Sequence, residues 1–335
     1  MLWFMRIIIM LYCADANQLI VSDLLKNEFE KLGCFCCVKD IVSYRYENHG
    51  SDELAFMSGL YCDLRNDGFD AILFLHSYPA RLFSTVKAIK KLKTSSFILQ
   101  TDFSLHFEYF KLDIDMFFVP HEKLAEDYVS HGISSSNVVV SGIPSVDLTF
   151  SDYVAVRDDV FCLILADGYE TEDVLVITRN AREIPGLDIS FAVLTFDNTL
   201  YRTYGRYSDF EENFVVYGYD DIFCLKNLGK PDIIITNSSN VNIYSAMKCK
   251  SPIILFDPDA RSETENFSFL SFLDCFLTCE SFDDVFNALK YRIFEKNLGF
   301  MLSEKSNMNS KADAVRTVCE NIISFNNKKA INEKR

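Results

Sequence analysis

The sequence predicts an α/β protein made of two doubly wound, Rossmann-like parallel sheets. Short apolar runs of strand length alternate with helical segments along most of the chain, and this alternation is interrupted once, after Pro144. The length of 335 residues suits two domains of ordinary size. Ligands of such sheets bind at the carboxyl ends of the strands, so we expect the two domains to face each other across a ligand cleft.

The first half begins with an apolar strand at residues 6–12. Asp15 and Gln18 have the spacing of a capping box, and Gly33 suits the left-handed residue that ends a helix, so a helix is predicted between them. The same patterns predict strands at 36–42, 70–75, 96–100, 116–119 and 138–140, with helices at 52–66, 80–93 and 122–131.

The second half repeats the alternation. Apolar runs predict strands at 161–165, 189–194, 214–217, 232–236, 253–256 and 275–278, helices at 174–181 and 241–249, and a final helix at 312–325. We therefore assign residues 1–149 and 150–305 to two domains and 306–335 to a C-terminal helix with a charged tail.

Composition excludes several classes of protein. Acidic residues outnumber basic ones 48 to 33, and a net charge of −15 argues against nucleic-acid binding. The 12 glycines are never adjacent, so no glycine-rich phosphate loop is present.

The 11 cysteines show no repeated pairing. They are best explained as buried, reduced thiols in a reducing compartment. Cys34, Cys36 and Cys37 resemble half of a zinc site, but no second cluster matches them, so no metal is predicted.

The apolar start of the chain contains Arg6, lacks a cleavage site and is too short to span a bilayer. We expect a cytoplasmic protein.

Asp102 and His106 directly follow the strand predicted at 96–100. A carboxylate and an imidazole at that position suit the binding or deprotonation of a hydroxyl group. The alternative is that Asp102 caps the next turn and His106 has a purely structural place.

Two further polar segments follow strands in the second half. Ser239 and Asn240 precede a predicted helix, whose N-terminus suits a diphosphate, or they cap that helix without a ligand. Glu263 and Asn266 suit sugar hydroxyls, or they belong to a solvated loop.

The order of several motifs resembles a glycosyltransferase family. It contains the monogalactosyldiacylglycerol synthases and the bacterial diacylglycerol glucosyltransferases, with the lipid II-forming N-acetylglucosaminyltransferases as more distant relatives. The similar segments are 76–80, 101–106, 118–120, 131–133, 141–144, 216–219, 231–247 and 251–266.

The resemblance implies a GT-B fold and inverting transfer of a hexose from a UDP-sugar to a hydroxyl acceptor, such as the lipid diacylglycerol. It implies no cofactor besides the donor. Asp102 and His106 would face the acceptor. The donor residues implied by the family are Gly218 and Tyr219 at uracil, Ser239 and Asn240 at the diphosphate, Ser245 near the ribose, and Glu263 with Asn266 at the sugar.

The chain departs from the family pattern after its first strand. The family's glycine-rich loop there ends in a histidine that acts as base, whereas this chain has Asp15 in a segment without glycine or histidine. Asp15 is either a substitute base or only a helix cap. Family glycines are replaced by Ser239 and Asn240, and the ribose-binding glutamate by Ser245. A non-catalytic relative that serves as a binding or regulatory module is therefore the alternative function.

Four lysines lie in and just after the helix predicted at 80–93: Lys87, Lys90, Lys91 and Lys93. They suit contact with anionic lipid at the inner face of a membrane, or they form a solvated helix face.

Overall fold

The computed structural model describes residues 5–12, 16–42, 53–151, 158–209, 213–238, 240–257, 264–292, 297–311 and 313–332. The chain forms two compact units, Met1–Ser145 with Lys311–Arg335, and Val146–Ser310. The boundary expected at 149/150 differs by four residues. Of the C-terminal segment predicted at 306–335, the part from Lys311 onward belongs to the first unit.

The first unit is a parallel sheet with the strand order β2-β1-β3-β4-β5-β6. Strand order reverses between β1 and β3, which are hydrogen-bonded neighbours. Two 3-10 helices, Phe107–Lys111 and Ser135–Asn137, follow β4 and α4. The elements are β1 Arg6–Leu11, α1 Ala16–Lys31, β2 Phe35–Asp40, α2 Glu53–Asp67, β3 Ala71–Phe74, α3 Ser77–Lys90, β4 Ser95–Leu99, β5 Met116–Val119, α4 Glu122–Ser130 and β6 Val138–Val140.

The second unit is also a parallel sheet, with the order β12-β11-β10-β7-β8-β9 and its reversal between β7 and β10. A 3-10 helix, Tyr219–Asn227, follows β9. The elements are β7 Val160–Leu165, α5 Thr171–Arg182, β8 Ile189–Leu194, α6 Asn198–Ser208, β9 Phe214–Tyr217, β10 Ile233–Thr236, α7 Asn240–Lys248, β11 Ile253–Phe256, α8 Thr264–Phe272, β12 Leu277–Cys279, α9 Phe282–Lys290 and α10 Asn297–Asn309. The prediction of two doubly wound parallel sheets is confirmed.

Short-range sequence features explain where the observed helix ends agree with the predicted ones and where they differ. Gly33 and Gly132 have φ values of +80° and +97° and lie two residues after the last residues of α1 and α4, as expected of residues that end helices. Helix α5 begins before residue 174 because the Asp173 carboxylate accepts the backbone N–H of Glu170 at 3.1 Å. The last strand lies at 277–279 rather than 275–278.

The described cysteines are free thiols, and most of them are buried. Burial raises the pKa of Cys36 and of Cys275 to about 12. Within the described residues, no group of three His, Cys, Asp or Glu side chains is placed to hold a metal ion.

The last helix, α11 Ala314–Asn332, packs on the first unit and extends past the predicted end at residue 325. Val318, Cys319 and Ile322 are fully buried. The Phe325 ring meets Phe97 of β4 edge to face, with 5.5 Å between ring centroids. This apolar face makes α11 part of the core of the first unit.

We expect Ile322→Ala to lower the free energy of unfolding by about 2–5 kcal/mol, because it leaves a cavity in that core. The matched control is Ile331→Ala on the same helix, where the side chain is 56% exposed and the change should stay within about 0.5 kcal/mol. Urea unfolding measures both variants. Equal effects would contradict the burial of α11.

Candidate functional site

Each unit carries polar and aromatic side chains where its strand order reverses, the usual ligand position of a doubly wound sheet. In the first unit, Tyr12 follows β1 and His76 follows β3. The Tyr12 ring lies 4.9 Å from His76 and 4.8 Å from Tyr78, measured between ring centroids. The sequence analysis used His76 only within a family motif, although its position directly after a buried strand was a usable signal.

His76 caps helix α3. Its Nδ1 accepts the backbone N–H of Tyr78 at 3.0 Å, so the proton of the neutral ring is on Nε2. Burial lowers the pKa of His76, and nearby His106 lowers it further. The ring is therefore a neutral N–H donor at pH 7.

Asp102 and His106 are brought together by the turn after β4. The His106 Nε2 lies 2.8 Å from both carboxylate oxygens of Asp102, and both side chains are about a quarter exposed, at 27% and 28%. Asp102 also accepts the backbone N–H of Ser104 at 3.1 Å. The turn-capping interpretation of Asp102 is therefore correct, but the same carboxylate also holds the imidazole.

This pairing defines which ring nitrogen faces away from the carboxylate. With Nε2–H directed at Asp102, Nδ1 is left as the acceptor, 3.8 Å from Glu108 Oε1. An imidazole held by a carboxylate at one nitrogen can take a proton at the other. Asp15, the third predicted catalytic residue, lies outside the described residues.

The prediction that four lysines contact anionic lipid is wrong for Lys87. Its Nζ lies 2.9 Å from Asp115 and 3.0 Å from the Ser96 hydroxyl, and only 12% of the side chain is exposed. Because this ammonium is paired inside the unit, it is not available to a lipid surface. Lys90, Lys91 and Lys93 are exposed. No helix in the described parts of the chain is long and apolar enough to span a bilayer.

In the second unit, asparagine side chains join the loops at the switch point, the place where the strand order reverses. Asn237 follows β10, and its Nδ2 donates to the backbone oxygen of Asp167, after β7, at 2.9 Å. The Nδ2 of Asn242, in the first turn of α7, donates to the same oxygen at 3.1 Å. Gly168 has a φ of +88°, and a Cβ there would lie 2.4 Å from the Asn237 Nδ2. The loops after β7 and β10 are therefore in close contact.

The carboxylate of Asp167 ties β7 to β8. It accepts the Thr195 hydroxyl at 2.7 Å and the backbone N–H of Phe196 at 3.0 Å. Burial raises the pKa of Asp167, although these hydrogen bonds favour the charged form. The sequence analysis missed Asp167 as a central residue, because its partners come from a neighbouring strand about 30 residues away.

Gly218 and Tyr219 follow β9 as expected. Tyr219 is 39% exposed, and its ring centroid lies 6.0 Å from that of Phe196. A Cβ on Gly218 would lie 3.2 Å from the Tyr201 ring. The loops after β8 and β9 thus form an aromatic surface, on which a planar base can stack.

The structure places the other residues predicted to bind the UDP-sugar in different surroundings. Ser239 and Glu263 lie outside the described residues, and of Asn240 only its backbone position at the start of α7 is described. Ser245 has no exposed surface, and its hydroxyl has no hydrogen-bond partner. Asn266 lies in α8 rather than in a solvated loop and is 3% exposed. Burial of Ser245 and Asn266 counts against their direct contact with a ligand.

The fold that these sheets define is GT-B-like. S. aureus MnaA, in a co-structure with UDP, is similar at a TM-score of 0.65 and 15% identity over 97% of both chains. MurG of Acinetobacter baumannii is similar at 0.66 and 12% identity, covering 95% of this chain and 99% of MurG. The UDP-GlcNAc 2-epimerase of Neisseria meningitidis bound to UDP-GlcNAc is similar at 0.59 and 13% identity, over 96% and 100% of the two chains. At these identities the likeness concerns the fold.

Sequence comparisons add a likeness to particular glycosyltransferases. The family model described as monogalactosyldiacylglycerol (MGDG) synthase matches residues 53–145, which include His76, Asp102 and His106. The processive diacylglycerol beta-glucosyltransferase of Bacillus cytotoxicus is 22% identical over 180 residues, or 50% of this chain. The chain matches only 45% of the length of that relative. The chain is similar to these glycosyltransferases over part of its length.

We expect His76→Asn to make the stability of the protein less dependent on pH between pH 7 and 5. Because the pKa of folded His76 is lowered, the unfolded chain binds the proton more readily, and stability falls as the pH drops through this window. Asparagine retains a capping oxygen but does not titrate.

Melting temperature against pH measures this effect. His121→Asn is the control, since the Nδ1 of His121 caps α4 in the same way at 3.1 Å. It reports the cost of exchanging a capping imidazole for an amide. An unchanged pH slope in His76→Asn would contradict a buried neutral His76.

Proposed function

We propose that the protein transfers a hexose from a UDP-sugar to a hydroxyl acceptor, with inversion, and that the acceptor is a lipid such as diacylglycerol. The observation that carries this proposal is the Asp102–His106 pair. It has a carboxylate-held imidazole at 2.8 Å, partly exposed, within the segment matched by the MGDG synthase family. The names of the family and of the curated relative support the lipid acceptor.

His106 is the proposed general base. Its Nδ1 takes the proton of the acceptor hydroxyl as that oxygen forms a bond to the anomeric carbon. The bond from this carbon to the diphosphate oxygen breaks, and the electron pair leaves with UDP. Asp102 stabilises the imidazolium that forms, as carboxylates do in related dyads. One displacement of this kind inverts the anomeric carbon.

This assignment suits a chain that lacks the histidine of the family's first loop. Tyr12 follows β1 instead, and His76 beside it supplies a neutral N–H donor that suits an acceptor oxygen. Asp15 remains a second proposed base.

The donor is proposed to bind at the switch point of the second unit. The first turn of α7 would face the diphosphate with free N–H groups and the positive end of the helix dipole. Ser239 and Asn240 precede or begin this helix. Tyr219, supported by Phe196, would stack on uracil, with Gly218 allowing close approach. Glu263 remains the proposed sugar ligand, and the structures of similar fold with UDP or UDP-GlcNAc support this kind of donor.

A specific observation favours the alternative, a non-catalytic binding module. Where the family has glycines after β7, this chain has Asp167, and the Asn237 side chain fills the space beside Gly168. The carboxyl side chain and the bulky amide take the place of glycines, so the backbone has less room to approach a diphosphate here. Binding of nucleotide therefore separates the two functions.

A lipid acceptor also requires contact with a lipid surface. We propose that Lys90, Lys91 and Lys93 make this contact, with the exposed Ile89 directly before Lys90 and with Lys87 excluded. Basic residues near an anionic surface contribute about 1 kcal/mol each.

Calorimetric titration should show binding of UDP in preference to ADP and CDP. Tyr219→Ala should weaken UDP binding by roughly 5- to 150-fold, the equivalent of about 1–3 kcal/mol of base stacking. Phe300→Ala is the control, because this aromatic side chain is 68% exposed on α10. Absence of UDP binding at millimolar concentration would contradict the enzyme and favour the binding module.

His106→Gln and Asp102→Asn should each lower kcat with a UDP-sugar and diacylglycerol, by roughly 10²- to 10⁴-fold for loss of a general base. The Kd for UDP should not change, since both residues belong to the acceptor side. His121→Gln serves as the control for loss of a histidine in the same unit. Full activity of His106→Gln would remove His106 from the mechanism.

A further inference from the structure

Gln100 connects the interior of the first unit to the Asp102–His106 pair. It directly follows β4 and is 1% exposed. Its Nε2 lies 2.9 Å from the backbone oxygen of Asp102, 3.1 Å from the Asp102 carboxylate and 2.6 Å from the backbone oxygen of Ser104. Three acceptors thus share the two hydrogens of one buried amide group.

Tyr128 holds the oxygen end of this amide. Its hydroxyl, from α4, donates to the Gln100 Oε1 at 2.6 Å. Tyr128 is fully buried, and its ring meets Phe110 and Phe117 at centroid distances of 5.1 Å and 5.5 Å. Burial raises the pKa of Tyr128, and the negative charge of Asp102 raises it further. The hydroxyl therefore keeps its proton and donates to Oε1, while the backbone oxygens of Asp102 and Ser104, which can only accept, require the Nε2 group at the other end.

From this chain of contacts we infer that Tyr128 and Gln100 are positioning residues for His106. Tyr128 anchors the oxygen end of the Gln100 amide, the Nε2 end holds one oxygen of the Asp102 carboxylate, and the carboxylate holds the Nε2–H of His106. Nδ1, the nitrogen proposed to take the proton of the acceptor hydroxyl, then faces away from this carboxylate. The catalytic part of the inference rests on the proposed function, whereas the orientation of the ring does not.

Packing alone does not account for this arrangement. An apolar residue at position 100 would avoid the cost of burying an amide, which is recovered only when its polar atoms are hydrogen-bonded. Here every contact of the Gln100 Nε2 is with the turn that carries Asp102. A buried polar network that is fully hydrogen-bonded specifies one local conformation.

Tyr128→Phe tests the inference with the least disturbance, because it removes one hydroxyl and keeps the packed ring. ¹⁵N NMR of the His106 imidazole should show the Nε2–H tautomer in the wild-type protein. In the variant we expect a mixture of tautomers and a shifted His106 titration. We expect kcat to fall by roughly 10- to 100-fold, the range for loss of an outer partner at metal-ligating histidines, with an unchanged Kd for UDP.

Gln100→Glu is the second variant and also covers the case in which Tyr128→Phe fails to fold. It has the shape of glutamine but replaces the Nε2 donor with a carboxylate oxygen facing Asp102. Thr94→Val is the matched control, because Thr94 Oγ1 donates to the backbone oxygen of Phe69 at 3.2 Å in a buried contact before β4. It should leave the His106 tautomer and kcat unchanged.

The outcomes distinguish the positioning of His106 from the proposed transferase function. If the variants leave the tautomer, the titration and kcat as in the wild-type protein, the inference is overturned. If the tautomer changes in the variants but the wild-type protein shows no transfer, the positioning of His106 is supported and the proposed function fails. A change in Thr94→Val as large as in Tyr128→Phe would also overturn the inference, since it would indicate a general effect on stability.

Discussion

The candidate site depends on one topological constraint, the reversal of strand order within each parallel sheet. Parallel strands end at the same edge, and at the reversal the connections leave toward opposite faces of the sheet, which opens a crevice. In the first unit this constraint brings Tyr12 and His76 together, although they are 64 residues apart in the sequence. In the second unit it does the same for Asp167 and Asn237.

The two crevices differ in how their polar groups are used. In the first unit the Asp102–His106 pair remains partly exposed, and the buried amide of Gln100 supports it from inside. In the second unit the Asp167 carboxylate accepts hydrogen bonds from Thr195 and Phe196, while the Asn237 and Asn242 amides donate to the Asp167 backbone oxygen. The proposed acceptor chemistry therefore has a well-formed geometric basis, whereas donor binding must compete with an internal network.

These contacts also show how divergence changes a site without changing a fold. The central strands of both sheets are buried, and all strand pairs are parallel. The differences from the resembled family occur in the loops at the carboxyl ends, where Tyr12 and Asp167 take places that the family gives to a glycine-rich segment. Such loops tolerate change because they lie outside the packed core.

The sequence by itself determined the fold class, both sheets and the adjacency of Asp102 to His106, because strand periodicity and a turn of four residues are local properties. Tertiary structure decided the rest. Lys87 was predicted to belong to an exposed basic run but pairs with Asp115, just before β5, and Ser245 was predicted to contact a ligand but is buried. The link from Tyr128 to Gln100 spans 28 residues. No local pattern records such contacts, because the folding of distant strands and helices onto one sheet creates them.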